Sequence, residues 1–281
     1  MLRVDGINKS FRRLPVLKDI TFEISAGESI LLLGANGAGK STLIKIILNL
    51  LQQDHGKMDW SETRPKIGYV PQTPSIMNNL TVRQFTVYIL SLHGKRTQVN
   101  TVLKDAGLES KEKALAENLS SGQMKRLLFQ LAVAAKPKLL IMDEPTAGMD
   151  VEAKRLFRKQ LSAVRADGVS VLVTTHILPD AENLADRLIY LEEGVLKVDR
   201  TINEIRQLRQ LISFRTDEQH KDLLLSMGYV LQEDVYRKRT DDADREMHIL
   251  IQKKIHLKQL EIKKDTLEKY VEGLSKEGAG L

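Results

Sequence analysis

The chain has 281 residues, 42% hydrophobic and 28% charged, which is enough for one large core or a core plus a small appendage. It contains no cysteine, excluding a disulfide framework and any thiolate metal site, and no apolar run approaches the length of a membrane span. The 43 basic and 37 acidic residues are mixed along the sequence, so the net charge of +6 reads as a solvated surface before it reads as a nucleic-acid or membrane-binding patch. Met1 to Ser10 lack the apolar core of a secretory signal, and the absence of cysteine suits a reducing compartment.

In chain order, Leu2, Val4 and Ile7 predict a first strand and Val16 to Ile24 a second pair. Phe11 falls in a basic loop with Arg12 and Arg13, where an exposed aromatic could stack on a purine; core packing is its ordinary role. Glu28 to Leu33 is a buried strand that runs into Gly34-Ala35-Asn36-Gly37-Ala38-Gly39-Lys40-Ser41-Thr42. This stretch fits G-x-x-x-x-G-K-[ST] without substitution, and Leu43, Ile44, Ile47, Leu48 and Leu51 follow at helical spacing.

The chemistry explains the residue types. Gly34, Gly37 and Gly39 allow a tight turn that brings backbone N–H groups onto phosphate oxygens, and the helix start adds partial positive charge. Lys40 places a full charge between the β- and γ-phosphates, and Ser41 offers a hydroxyl to Mg²⁺. A glycine-rich turn before an ordinary core helix is the bland alternative, and the strand and helix flanks weigh against it.

Lys66 to Val70 predicts another strand, closed by Pro71 and followed by Gln72. Thr81 with Gln84 forms a capping box, Phe85, Tyr88, Ile89 and Leu92 follow at helical spacing, and a helical insertion extends over about 73–135. Within it, Leu119-Ser120-Ser121-Gly122-Gln123 opens a helix with Ser120 as N-cap, a second candidate phosphate site. Leu139 to Asp143 is a buried strand ending in Asp143 and Glu144, an arrangement suited to a metal ligand and a residue that orients or deprotonates water. A polar helix from about Val151 to Arg165 precedes a strand from Val169 to Thr175, which runs into His176; a histidine at a strand end is more often structural, and its place beside the phosphate edge favours a γ-phosphate contact. Leu188 to Leu191 and Val195 to Val198 predict a closing hairpin.

Beyond Ile205 the pattern restarts. Leu211 to Arg215 predicts a strand and Glu218 to Ser226 a short helix. Val230 to Arg237 and Met247 to Ile251 predict strands around an Asp-rich turn, Ile255 to Ile262 another, and Asp265 with Glu268 caps a last helix to about Leu274. The alternation suggests a small α+β appendage without a phosphate loop, fit for dimerisation, regulation or docking.

In this order the segments resemble the nucleotide-binding subunit of ATP-binding cassette (ABC) transporters over roughly residues 1–205. Gly34 to Thr42 looks like the Walker A loop, Gln72 the Q-loop, Leu119 to Gln123 the signature, and Leu139 to Asp143 the Walker B strand. Glu144 is similar to the catalytic glutamate, Ala147 to Asp150 to the D-loop, His176 to the switch histidine and Phe11 to the aromatic that stacks on adenine. Ser121 departs from the commonest pattern, which has glycine; in a left-handed conformation it would cost about 1 kcal/mol.

The resemblance implies an α/β fold, a phosphate-loop NTPase core with a mostly parallel central sheet, antiparallel N-terminal strands and a helical insertion, to which the residue pattern adds the small C-terminal α+β appendage. Domains would be 1–205 and 206–281. ATP and Mg²⁺ are the implied cofactors. Glu144, His176 and Gln72 are the implied catalytic residues and Ser41, Gln72 and Asp143 the metal ligands. Phe11, Val16, the loop residues Gly34, Asn36, Gly37, Ala38, Gly39, Lys40, Ser41 and Thr42, the signature residues Ser120, Ser121, Gly122 and Gln123, and Asp150 complete the nucleotide-binding set. In the family two cassettes pair head to tail around two ATP molecules and drive transmembrane permease subunits, which places them peripherally on the cytoplasmic face of the membrane. No specific nucleic-acid partner is implied. Ile76, Met77 and Phe85 are candidate permease contacts, and equally candidate core residues of the helical insertion. Lys264 to Val271 is similar to a segment closing the cassettes of bacterial ABC-2-type exporters, which favours export. Two other readings stay open: a soluble ABC-type ATPase acting on nucleic acid or ribosomes, and a phosphate-loop kinase of another class.

Overall fold

The computed structural model describes residues 1–61, 63–74, 79–175, 184–208, 210–264 and 270–271. It divides into two compact units, Met1–Asp199 and Arg200–Leu281, with the boundary somewhat ahead of the expected 205/206. The first unit opens with two long antiparallel strands, β1 (Leu2–Phe11) and β2 (Leu14–Ile24), in place of one strand and a pair. They meet at a two-residue turn, Arg12-Arg13, both left-handed at φ 47° and 71°, the conformation that matches strand twist in a tight hairpin. Phe11 is therefore the last residue of β1 instead of a loop residue.

β3 (Ser29–Gly34) feeds α1 (Lys40–Ile47), and β4 (His55–Trp60) then returns to pair antiparallel with β1. β4 has no counterpart in the sequence reading because its residues, His-Gly-Lys-Met-Asp-Trp, carry little apolar alternation. β5 (Ile67–Val70) precedes the helical insertion, built from α2 (Val82–Leu92), α3 (Val99–Asp105) and α4 (Ser121–Ala134). β6 (Leu139–Asp143), α5 (Val151–Ala166), β7 (Ser170–Thr174), β8 (Arg187–Glu192) and β9 (Val195–Thr201) complete the core. The central sheet runs β5-β6-β7-β3-β8-β9, and its pairs from β5 through β8 are parallel.

Burial follows from the strand sequences. Ile30, Leu31 and Leu32 of β3 and Leu139 to Met142 of β6 are fully buried on both faces, as parallel strands between layers are. One core joins the β1–β2–β4 sheet, α1 and the central sheet; each buried Leu or Ile there contributes roughly 1.5–3 kcal/mol. The insertion has its own core of Val82, Phe85, Leu90, Leu103, Leu127 and Leu131. Phe85 is 3% exposed within it, so it is a core residue and not a surface contact. Ile76 and Met77 lie outside the described residues, as does His176.

The second unit begins with α6 (Ile202–Leu208). It continues as β10 (Gln210–Arg215), α7 (Lys221–Ser226), β11 (Val230–Gln232), β12 (Val235–Thr240), α8 (Ala243–Gln252) and β13 (Lys258–Lys264). From β10 onward this is a β-α-β-β-α-β unit with antiparallel sheet order β11-β12-β10-β13. Two expectations are corrected here. Met247 to Ile251 lie in α8, not in a strand, because the Asp-rich segment is a helix start: the Asp242 carboxylate accepts from the Arg245 N–H at 2.9 Å. Val230 to Arg237 is a hairpin of two strands, folded at Glu233-Asp234 with φ of 50° and 60°. The segment expected to form the last helix is described only at Tyr270 and Val271, both helical and buried.

The Thr81 side chain accepts from the Gln84 N–H at 3.2 Å, and the Gln84 side chain accepts from the Thr81 N–H at 2.9 Å, so α2 has both halves of its capping box. Thr81→Ala is expected to lower stability by about 1 kcal/mol. A urea midpoint unchanged from the parent would show that α2 does not depend on this cap.

Candidate functional site

The phosphate-loop segment is built by close backbone approaches. Gly34, at φ 155°, would carry a Cβ only 2.2 Å from the Leu191 carbonyl oxygen on β8. Gly39, at φ 106°, would carry one 2.6 Å from Leu17 Cδ2 and 2.9 Å from the Val16 oxygen on β2. Any side chain at either position forces the loop off these strands. The loop thereby leaves the carboxyl edge of β3 and enters α1 with Gly39 as N-cap. Its lysine folds back: Lys40 Nζ donates to the Gly34 oxygen at 2.7 Å and the Ala35 oxygen at 3.0 Å. Burial lowers the Lys40 pKa, and the charges of Glu144 and Asp143 oppose that shift, so all three groups act on one space.

That space is a cleft of about 320 Å³ lined by Phe11, Val16, Asn36, Gly37, Gly39, Lys40, Ser41, Thr42, Gln72, Asp143 and Glu144. It collects residues far apart in the sequence, from Phe11 to Glu144. Phe11 is 45% exposed at the tip of the β1–β2 hairpin, with Lys9 Nζ 5.6 Å from its ring centroid. Gly34 and Ala38 shape the loop without lining the cleft; Ala38 is buried, and its N–H donates to the Ala35 oxygen at 3.1 Å.

The acidic edge is held in register by strand pairing. Asp143 sits opposite Thr174 in the β6–β7 ladder, and the Thr174 hydroxyl donates to Asp143 Oδ1. The next N–H, of Glu144, donates to the Thr174 carbonyl at 3.1 Å and to its hydroxyl at 3.3 Å. Glu144 is left-handed at φ 52° and 8% exposed, and its carbonyl accepts from the Nζ of Lys125, a lysine of α4 that is only 3% exposed. Burial lowers the Lys125 pKa while Glu144 and Asp143 favour its charge. Neither Thr174 nor Lys125 was singled out from sequence; a lysine on the apolar face of α4 was the signal for the second.

The signature residues stand apart from this cleft. Ser120 and Ser121 are exposed, Gly122 is buried and Gln123 half-buried. Ser120 caps α4: its hydroxyl accepts from the Gln123 N–H at 3.3 Å, and the Gln123 side chain accepts from the Ser120 N–H at 3.1 Å. Ser121 opens the helix and is not left-handed, so its side chain carries no backbone strain. Asp150 is exposed and caps α5, accepting from the Ala153 N–H at 2.7 Å.

Gly34→Ala is expected to destabilise the fold by at least about 2 kcal/mol, because the clash is with backbone and cannot be relieved by a rotamer change. Denaturant unfolding of this variant at the parent's midpoint would contradict the assigned approach to Leu191.

A family model described as ABC transporter matches residues 17–147. The Nod factor export ATP-binding protein I of Bradyrhizobium diazoefficiens is 37% identical over 203 residues, covering 67% of this chain and 66% of that protein. The protein of the same name from Rhizobium sp. strain N33 is 36% identical over 203 residues, covering 67% of each. The chain thus spans 65–66% of the length of the first such relatives. A solved ATP-binding subunit of an ABC transporter superposes with TM-score 0.68 at 28% identity, covering 74% of this chain and 92% of that one. A nucleotide-free ATP-binding cassette superposes with TM-score 0.64 at 26% identity, covering 73% and 93%. With the fold shared across the first unit and identity to curated members above one third, the chain belongs to the ABC transporter family, of which it carries the ATP-binding cassette.

Proposed function

We propose that this chain binds and hydrolyses ATP as the motor subunit of an exporter. The observation that carries the reading is the single cleft on which Phe11, Lys40, Ser41, Gln72, Asp143 and Glu144 converge. The adenine stacks on Phe11, beside Val16. The triphosphate takes Lys40 Nζ from the Gly34 and Ala35 carbonyls, and backbone N–H groups of the loop receive the phosphate oxygens. Glu144 orients and deprotonates the water that attacks the γ-phosphate, and His176 contacts that phosphate.

The donor set of the cleft fits Mg²⁺. Ser41, Gln72 and Asp143 offer oxygens, and the described residues hold no cluster of three His, Cys, Asp or Glu, so phosphate oxygens would complete the shell. When bound, the ion neutralises charge developing on the phosphates. Thr174 holds one oxygen of Asp143, which orients the carboxylate toward that role.

Ser120, Ser121 and Gln123 do not line their own cleft and serve the nucleotide of a second cassette, homologous or identical. The Ser120 hydroxyl uses a lone pair on the Gln123 N–H and keeps its proton to donate. Asp150 joins them at that seam. Among the described residues no helix is long and apolar enough to cross a membrane. In this reading, as in the family, separate permease subunits form the pathway and hold the cassettes at the cytoplasmic face. Export is the direction carried by the relatives, which are named for Nod factor export.

Glu144→Gln is expected to bind ATP yet lose turnover by at least about hundredfold, accumulating a nucleotide-bound dimer on size-exclusion chromatography. Turnover at the parent rate removes Glu144 from its role. Ser121→Gly is expected to change turnover by less than about tenfold, under about 1.4 kcal/mol of barrier, since Ser121 needs no special backbone. A larger fall in steady-state ATPase rate would assign the Ser121 hydroxyl a direct phosphate contact.

A further inference from the structure

The first unit holds a second cavity, larger than the nucleotide cleft and on the opposite edge of the same sheet. It measures about 580 Å³ against about 320 Å³. Lys66, Lys138 and Ser170 line it, and these stand at the amino ends of β5, β6 and β7; Gln72, Asp143 and Glu144 stand at or beyond the carboxyl ends. The five residues of β6 alone put roughly 15 Å between the two edges. The cavity is thus separate from the triphosphate machinery, and its volume falls in the usual range for small-molecule sites, about 300–1,000 Å³.

Its walls combine an excess of positive charge with flat apolar surface. Among the described lining residues Arg64, Lys66, Lys136 and Lys138 face a single carboxylate, Asp167. Lys138 already has an interaction of its own, so the argument for charge rests on the other three cations. Arg64 is set in place by one bond, from its Nη2 to the Ile47 carbonyl at 3.2 Å, and a guanidinium has further N–H donors to offer an anion. Lys66 and Lys136 are exposed and form no ion pair among the described residues. Trp60 lines the same cavity half-buried, packed in part on the core, which presents an aromatic surface without freedom to swing away. Pro65 and Pro137 supply two more rigid apolar walls.

We propose that this cavity binds a small anion carrying a flat apolar body, such as an aryl phosphate, with the anionic head on Arg64, Lys66 and Lys136 and the ring against Trp60. Inorganic anions satisfy only the cations, and neutral aromatics only the tryptophan. The ligand needs both.

Trp60 is the only tryptophan in the chain, so emission excited at the red edge reports this cavity directly. The full chain is titrated with phenyl phosphate, and in parallel with inorganic phosphate and with phenol, at physiological ionic strength. Phenyl phosphate is expected to give a saturable change in Trp60 emission with Kd below about 1 mM, and the two half-ligands at least about tenfold weaker binding. Lys66→Ala combined with Lys136→Ala should weaken phenyl phosphate at least about fivefold while keeping the parent's thermal midpoint; both lysines are exposed, so the fold does not depend on them. Lys40→Ala, which removes the phosphate-loop charge, should leave the titration unchanged. Absence of saturation up to about 10 mM overturns the proposal, as does binding of phenol or phosphate as tight as phenyl phosphate. A double-lysine variant that binds like the parent, or a titration abolished by Lys40→Ala, overturns it equally.

Discussion

Three glycines that bring backbone onto backbone hold the nucleotide edge together. Gly34 lies against the Leu191 carbonyl, Gly39 against Val16, and Gly194, whose Cβ would fall 2.4 Å from the Val16 oxygen, closes the third side. A bond from the Lys18 N–H to the Gly194 oxygen at 2.8 Å clamps the same place. The phosphate loop is therefore wedged between β2 and β8, and the β1–β2 hairpin is carried to its rim. That is why Phe11, far from the loop in an extended N-terminal sheet, ends at the mouth of the cleft. The cost of this design is conformational: glycine loses the most entropy on folding, and the buried leucines and isoleucines around α1 offset it.

The acidic edge uses a different device. Parallel pairing of β6 with β7 puts Asp143 beside Thr174, and the chain then turns through a left-handed Glu144, a conformation that costs a non-glycine residue of order 1 kcal/mol or more. Three interactions pin it there: the Thr174 carbonyl and hydroxyl on its N–H, and Lys125 on its carbonyl. Burying Lys125 is itself unfavourable, as the lowered pKa shows, and the nearby carboxylates compensate part of that. The Lys125–Glu144 bond serves both residues: it holds the left-handed turn in place and satisfies one donor of the buried ammonium.

What the sequence made legible was the part governed by local rules. The loop pattern, the Thr81–Gln84 box, the apolar run of β6 before Asp143 and the Ser120 cap each depend on neighbours within a few residues, and the structure places each of these elements as read. Partners far apart in the chain left weaker marks. β4 was invisible because it is recruited by β1 and not by its own periodicity, and the Arg12-Arg13 and Glu233-Asp234 turns lack the Asn or Gly that announces a left-handed pair. α8 passed for a strand because Met247 to Ile251 is a dense apolar patch; only the Asp242 cap separates the two readings. Thr174 and Lys125 acquire meaning from register and from α4 packing, neither of which a single sequence encodes locally.

α4 joins these themes. Its first turn carries the exposed Ser120 and Ser121, its second residue packs so closely that a Cβ on Gly122 would lie 2.8 Å from the Gly148 oxygen, and Lys125 ends on the Glu144 carbonyl. Within one and a half turns of helix, the surface that a second cassette would meet is therefore bound at two points to the loop that holds Glu144. Neither tie has slack: one is a backbone contact without room for a methyl group, and the other is a buried ammonium screened from water by the packing around it. Rigid motion of the helix start must then be shared by residues 144–149. Under the proposed function, engagement of one nucleotide by Ser120 and Ser121 is felt at the glutamate serving the other, through contacts inside a single chain.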